Sequence, residues 1–200
     1  MLRQVQIDKD NLDEALKVFH GIFSWLPEGM DPYSNVILNG AMAEQDPAYF
    51  MVYDDDKLVG ITGRYSPVCD KESAFLGWFG ICPDMRRYHY GSQVLAFHEE
   101  KLKEDGYRYS RLYTETDNND ATRAFYEKNG YVGEAYECPE EHPLMKGMIT
   151  VYSKSLGDWP LTPWDNKNMH LTEEAKGMYS EEDLKDPEKL LEKVKSAEHK

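Results

Sequence analysis

The sequence predicts an α/β fold: a mixed central sheet of about six or seven strands flanked by helices on both faces, followed by a C-terminal extension. Three observations predict it. Segments with apolar residues at alternate positions are interleaved with segments whose apolar residues recur every three or four. The breaks between them hold Gly, Pro and Asp, the residues that turns and helix ends require. Near residue 156 this pattern stops, and an irregular stretch with Trp159, Pro160, Pro163 and Trp164 follows. The domain accordingly spans residues 1–156 and the extension residues 157–200.

Residues 2–7 alternate and read as the first strand. Asp10 is placed to cap the helix after it, in which Leu12, Leu16, Phe19 and Phe23 share one face. Pro27, Gly29, Pro32 and Gly40 make residues 25–46 a short or broken helix with loops. Residues 49–53 and 58–65 are two strands around the polar turn at Asp54, Asp55, Asp56 and Lys57. Residues 74–82 form a largely apolar run, expected as one buried central strand that ends at Pro83. A helix over 91–104 places Val94, Leu95, His98 and Leu102 together and stops at Gly106. A strand over 107–115 carries Tyr107, Tyr109 and Tyr113, which are expected to pack on the sheet. A helix over 120–128 closes at Gly130, and strands over 131–137 and 148–155 pair antiparallel. In the extension, Ser180 to Asp183 reads as a helix start, and Asp186 and Pro187 open a helix with Leu190, Leu191 and Val194 on one face.

Composition narrows the function. With 40% hydrophobic and 12% aromatic residues, the 200-residue chain can build a packed core. No apolar run approaches the roughly 20 residues that span a bilayer, and residues 1–15 lack the pattern of a secretory leader. A cytoplasmic protein without membrane association is expected. The three cysteines, Cys69, Cys82 and Cys138, form no C-x-x-C pair, and the six histidines have no ligand spacing, so no metal is expected. A formal net charge of −14 argues against nucleic-acid binding, which needs a basic face. The same negative field favours a cationic substrate.

The chemistry concentrates in residues 75–102, where a buried strand ends at a proline, passes a basic turn and enters a helix at Gly91. Free N–H groups and the positive dipole end of that helix, with Arg86 and Arg87 beside them, make a pyrophosphate cradle. About thirty residues on, a strand end is followed by Asn119, Thr122, Phe125 and Tyr126. Together the two segments resemble the GNAT acetyltransferase family. Arg86, Arg87, Tyr88, His89, Tyr90 and Gly91 occupy that family's Arg/Gln-x-x-Gly-x-Gly/Ala cradle, with His89 standing at the first glycine. Asn119-x-x-Thr122-x-x-Phe125-Tyr126 resembles its Asn-x-x-Ala-x-x-Leu-Tyr helix. The resemblance covers about residues 1–156.

The resemblance implies acetyl-CoA as co-substrate, direct transfer to an amine in a ternary complex, and the roles of the site residues. Phe79, Gly80 and Ile81 would bind the pantetheine through their backbone. Arg86, Arg87, His89, Tyr90, Gly91 and Ser92 would hold the pyrophosphate, and Asn119 would approach the cofactor from the other side. Tyr126 matches the general acid that protonates the leaving thiolate. The central strand carries no carboxylate, so Glu115 is the first candidate base and Asp117 the second. Glu28 and Asp31 are candidates for binding a cation, with plain surface roles the stronger reading. Cys82 is read as a buried, inert thiol. Trp25, Trp78, Trp159 and Trp164 either line an acceptor pocket or, by default, serve the core and anchor the tail. A small-molecule amine leads as acceptor. A protein or peptide amine, or acyl-CoA sensing without turnover, are the alternatives, and a homodimer accords with family habit.

Overall fold

A computed structural model describes residues 1–27, 29–67, 70–116, 119–136 and 149–164. Glu28, Cys69, Asp117, Cys138 and the helices expected from Ser180 onward lie outside the described residues. The chain forms two compact units. The first is Met1–Leu112 with Ser155–Pro160, and the second is Tyr113–Lys154 with Leu161–Lys200.

In the first unit, strand β1 (Leu2–Gln6) pairs antiparallel with β2 (Ala48–Asp54), from Leu2 opposite Asp54 to Gln6 opposite Phe50. β2 turns into β3 (Lys57–Tyr65) through Asp55, whose φ of 52° supplies the left-handed step of a tight hairpin. β3 then pairs antiparallel with β4 (Ser73–Leu76), and β4 lies parallel to β6 (Tyr109–Glu115). The strand order here is β1-β2-β3-β4-β6, with the two-residue β5 (Gly80–Ile81) paired to β3. One parallel pair among antiparallel ones makes the sheet mixed, as expected. Eight strands are described, because the single strand expected over 74–82 is divided into β4 and β5.

Helix α1 (Leu12–Ile22) buries Leu12, Ala15, Phe19 and Ile22, a 3-4-3 spacing that keeps one stripe on Met51 and Ile61 of the sheet. Phe19 is fully buried, with its ring edge-on to Tyr33 and Trp78. Removing such a side chain from water is worth about 2–3 kcal/mol. Asp10 does not cap α1. Asn11 holds the N-cap position, and Asp8 Oδ1 instead accepts the N–H groups of Asp10 and Asn11, at 2.8 and 3.3 Å. Asn11 answers by accepting the Asp8 N–H at 2.9 Å, so a reciprocal turn starts the helix where a single cap was expected. A short helix α2 (Ser34–Asn39) and a 3₁₀ turn at Ala43–Gln45 fill the irregular region before β2.

Helix α3 (Tyr90–Glu104) covers the other face of the sheet, where Val94 packs with Val52 and Val59. Its buried stripe is Val94, Leu95, His98, Glu99 and Leu102, and Gly106 ends it at φ 91°. Residues at the start of the extension dock here too. Trp159 Nε1 donates to Arg108 O at 2.9 Å, and Tyr109 Oη donates to Pro160 O at 3.1 Å.

In the second unit, α4 (Asp120–Lys128) has the predicted bounds and is followed by Gly130 at φ 87°. β7 (Val132–Ala135) pairs antiparallel with β8 (Ile149–Ser155), from Val132 opposite Ser153 to Ala135 opposite Thr150. Trp164 is fully buried. The tyrosine pattern holds only in part: Tyr109 is buried, Tyr107 precedes the strand, and Tyr113 is 40% exposed. Trp25 is 70% exposed and leaves the core altogether. No helix among the described residues is long and apolar enough to cross a membrane.

Candidate active site

The centre of the first unit is a β-bulge. Leu76 stands opposite Arg64 and the Gly77 N–H donates to Gly63 O at 2.9 Å, but Gly80 stands opposite Ile61. Trp78 and Phe79 therefore share the single partner position of Thr62. Trp78 takes the left-handed conformation, φ 49°, which costs a non-glycine residue about 1–2 kcal/mol. Edge contacts of its ring with Phe19 at 4.9 Å and Phe23 at 5.7 Å offset that cost. Before the bulge, β4 bonds to both β3 and β6. After it, β5 bonds to β3 alone among the described residues. The other edge of Gly80 and Ile81 pairs with no strand among the described residues, which suits a backbone that binds a ligand.

Two glycines permit this. A Cβ on Gly60 would lie 2.2 Å from Gly80 O, and one on Gly80 would lie 2.4 Å from Ile22 Cγ2 and 3.1 Å from Phe23 Cζ. The end of α1 is therefore pressed against the bulged strand. Arg86 locks it there: its Nε donates to Ile81 O and its Nη2 to Ile22 O, both at 3.1 Å. The guanidinium expected beside the pyrophosphate is a clasp between α1 and β5, and it occupies the Ile81 carbonyl.

After Ile81, Cys82 is buried, and burial pushes its thiol pKa up, consistent with the inert reading. A 3₁₀ turn at Pro83–Met85 leads to Arg87 at φ 69° and His89 at φ 64°, with Tyr88 between them. Alternation of handedness turns successive N–H groups into one concavity, the geometry of an anion-binding nest. His89 holds a left-handed conformation that glycine adopts without strain, so a side chain at this position costs backbone strain. His89 occupies the N-cap of α3 without a side-chain cap bond, leaving the N–H groups of Tyr90, Gly91 and Ser92 without intrahelical acceptors. Those N–H groups and the dipole of a fifteen-residue helix fit the pyrophosphate of a coenzyme A. Arg87 and Ser92 are exposed beside them. A cavity of about 410 Å³ flanks this helix start, lined by Asp54, Lys57, Asp84, Met85, Tyr88, Tyr90 and Gln93.

A second cavity, of about 460 Å³, opens at the C-terminal end of α1 between His20, Phe23, Ser24, Leu26 and Gly29. His20 carries no mark in the sequence beyond its place in the last turn of a helix, one residue from the buried Phe19. Asp31 is not a free anion: its Oδ1 accepts the N–H groups of Tyr33 and Ser34 at 2.9 and 2.8 Å, and Oδ2 accepts the Ser34 hydroxyl. Partial burial opposes ionisation of Asp31, but the Ser34 hydroxyl, these N–H groups and the charge of His20 together hold its carboxyl below the usual range.

In the second unit, Asn119 occupies the N-cap of α4 without capping it, and its Nδ2 donates to Thr114 Oγ1 on β6. Tyr126 is buried on α4, edge-on to Phe125 and Tyr131 at 5.2 and 5.6 Å. Burial pushes its phenol pKa up, so it holds its proton at neutral pH. Glu115 is exposed at the end of β6. Among the described residues no group of three His, Cys, Asp or Glu side chains is arranged to hold a metal ion.

The sequence profile of the Acetyltransferase (GNAT) family matches residues 11–131. No curated protein matches the chain. Among solved structures, an acetyltransferase from Thermus thermophilus superposes with a TM-score of 0.61 at 18% identity, over 78% of this chain and 97% of that one. A spermidine N-acetyltransferase from Vibrio cholerae in complex with CoA and spermine gives 0.57 at 14%, over 78% and 95%. The ribosomal-protein-S18-alanine N-acetyltransferase from Escherichia coli gives 0.56 at 14%, over 80% and 97%. At these identities the likeness is one of fold.

Proposed function

The chain belongs to the Acetyltransferase (GNAT) family, whose profile covers residues 11–131, and on that premise we propose that it transfers the acetyl group of acetyl-CoA to the primary amine of a small cationic molecule. The observation that carries this reading is the continuous run from the bulged strand to an uncapped helix start, Phe79 to Ser92. The backbone of Phe79 and Gly80 suits the pantetheine amides, and the N–H groups of Tyr90, Gly91 and Ser92, with Arg87 and His89, suit the pyrophosphate. Asn119 is a further cofactor contact, as the family motif implies. Bound acetyl-CoA supplies an activated thioester carbonyl.

The amine nitrogen attacks that carbonyl carbon, the N–C bond forms, the C–S bond breaks, and the displaced electron pair leaves on sulfur. One proton must leave the nitrogen and one must reach the thiolate. Tyr126 suits the second task, because a phenol that keeps its proton at neutral pH can donate a hydrogen bond to a thiolate. For the first task Glu115 is the carboxylate that the sequence offers. The likeness to a spermidine and to a ribosomal-protein acetyltransferase is nearly the same, with TM-scores of 0.57 and 0.56 at 14% identity, so it does not choose between a small and a protein acceptor. The net charge of −14 supports a small cation.

Thermal unfolding with and without acetyl-CoA tests the reading. Ligand at 100 times its Kd stabilises the folded state by about 2.7 kcal/mol. Release of CoA thiol in the presence of an amine should fall at least tenfold in Tyr126→Phe, in line with the usual value of a general acid. Absence of both a thermal shift and thiol release would overturn it.

A further inference from the structure

The parallel ladder between β4 and β6 is short. It runs through three registered pairs: Ser73 with Tyr109, Ala74 with Ser110, and Phe75 with Arg111. Below it, Glu72 O accepts the N–H groups of Arg108 and Tyr109, at 2.9 and 3.2 Å. Beyond Phe75 the chain follows β3, since the Gly77 N–H goes to Gly63 O and Gly80 stands opposite Ile61. The course of β5 therefore starts from a hinge of three residue pairs. One side chain crosses that hinge. Arg111 is fully buried, its Nε donates to Ser73 Oγ at 2.9 Å, and its guanidinium lies 5.0 Å from the Tyr109 ring.

Residues 155–160 wrap the lower end of this ladder. Leu156 is buried with Ala74 and with Leu102 of α3, so it lies on the face that α3 covers. Tyr109 stands opposite Ser73, one position from Ala74, and so faces the other way. Its Oη donates to Pro160 O at 3.1 Å. The strap therefore passes from one face of the sheet to the other around the start of β6. At the crossing, Arg108 O accepts both the Leu156 N–H and the Trp159 indole N–H, each at 2.9 Å. The Arg108 guanidinium lies over the indole at 5.5 Å and pairs with Glu72 at 2.6 Å. The turn is tight: a Cβ on Gly157 would lie 2.8 Å from the indole ring.

We propose that this strap positions the acyl donor: by clasping both faces of the ladder, Trp159 fixes the angle at which β5 departs from it, and with that angle the grip of Phe79 and Gly80 on the pantetheine. The inference rests on the acetyltransferase reading and adds to it a positioning residue that does not touch the cofactor. Trp159 acts through Arg108, which begins β6 and is tied to Glu72 just before β4. Coupling of this kind travels through packed side chains and rigid strands, and it is reciprocal, so a bound cofactor tightens the strap as much as the strap tightens the cofactor.

Calorimetric titration of the full chain with acetyl-CoA, beside thermal melts, tests this. Trp159→Ala should raise the Kd for acetyl-CoA about tenfold. Trp159→Phe keeps a ring over Arg108 and loses the N–H, so its Kd should rise about threefold. Lys17→Gly, at an exposed position inside α1, should lower Tm comparably and leave the Kd within about a factor of two. In the wild type, acetyl-CoA should slow solvent exchange of the Trp159 indole proton about tenfold, read from the indole NMR signal that Trp159→Phe lacks. If Tm falls in both Trp159 variants while Kd stays unchanged, the strap is packing alone and the proposal is overturned, with the transferase reading intact. An equal rise of Kd in Lys17→Gly, or an indole exchange rate that acetyl-CoA does not alter, overturns it likewise. A wild-type protein that shows neither heat of binding nor a thermal shift with acetyl-CoA overturns the transferase reading, and this inference with it.

Discussion

Tyr90 donates its phenolic hydrogen to Asp54 Oδ2 at 2.9 Å, which ties the first residue of α3 to the turn between β2 and β3. The Met1 ammonium and this phenol together hold the Asp54 carboxyl below its usual range. The bond anchors the uncapped start of the helix that is proposed to hold the pyrophosphate. Tyr90→Phe and Asp54→Asn should each raise the KM for acetyl-CoA about three- to tenfold, the scale of one lost hydrogen bond, and leave kcat within about a factor of two. Because both remove one interaction, the double variant should be no worse than either single one. Additive losses in steady-state kinetics would show that the two residues act separately.

The left-handed backbone at His89 makes a prediction about stability. Histidine tolerates φ near 64° better than most side chains, and a β-branched residue tolerates it poorly. His89→Val should lower the unfolding free energy by about 1–2 kcal/mol, and His89→Gly should leave it within about 1 kcal/mol. Denaturant titration of the three proteins decides this. Equal stabilities for Val and Gly would mean that the residue is not held in that conformation.

Two glycines should respond in opposite senses. Gly60→Ala forces a Cβ against the Gly80 carbonyl and should cost about 2–3 kcal/mol while loosening β5. Gly21 lies within α1 with no atom within 4 Å of its added Cβ, so Gly21→Ala should raise stability by about 0.5–1 kcal/mol. Paired melting curves test both signs, and weaker CoA binding in Gly60→Ala alone would tie the strand pairing to the ligand.

His98 sets an acid limit on the fold. It is 1% exposed, with Nδ1 3.2 Å from Thr62 Oγ1, and burial together with the charge of Arg64 lowers its pKa to about 3. An unfolded chain protonates histidine near pH 6.5, so between these values the unfolded state binds the extra proton. The stabilisation is complete above about pH 6.5 and is lost as pH falls toward 3, by about 1.4 kcal/mol per unit at its steepest. In His98→Gln the stability difference between pH 7 and pH 4.5 should shrink by about 2 kcal/mol. An unchanged difference would mean that His98 is solvated or already charged in the fold.

Elements whose ends are marked locally were legible in the sequence. Helix α4 has Asp120 in its first turn and Gly130 just after its end, and its bounds match the expectation. The stripe of Val94, Leu95, His98 and Leu102 follows from period alone. The bulge at Trp78 and Phe79 was not legible, because an apolar run carries no mark of an extra residue when a tryptophan, not a glycine, takes the positive φ. Arg86 reads as a phosphate ligand from its place before a helix, but its carbonyl partners on Ile22 and Ile81 come from segments about sixty residues apart in one case. The His20 cavity was hidden for the same reason, since it depends on where the loop through Leu26 and Gly29 returns. Asp31 could be read as a free anion only until α2 placed two N–H groups against it.

The extra residue at the bulge also sets a bend. Side chains on a strand alternate between faces with a period of two, so Gly77 and Gly80, three positions apart, share a face only because the bulge absorbs one residue. Beyond the bulge, Gly80 meets Ile22 of α1, and Ile81 joins the cluster around Val94 of α3. Loss of a single residue between Gly77 and Gly80 would restore regular pairing with Gly80 still opposite Ile61, so it would remove the bulge and its left-handed step and leave both helix contacts in place. The extra residue therefore sets the bend of this segment rather than the faces it presents, and a related chain aligned with a one-residue gap here would keep the packing and lose the bend.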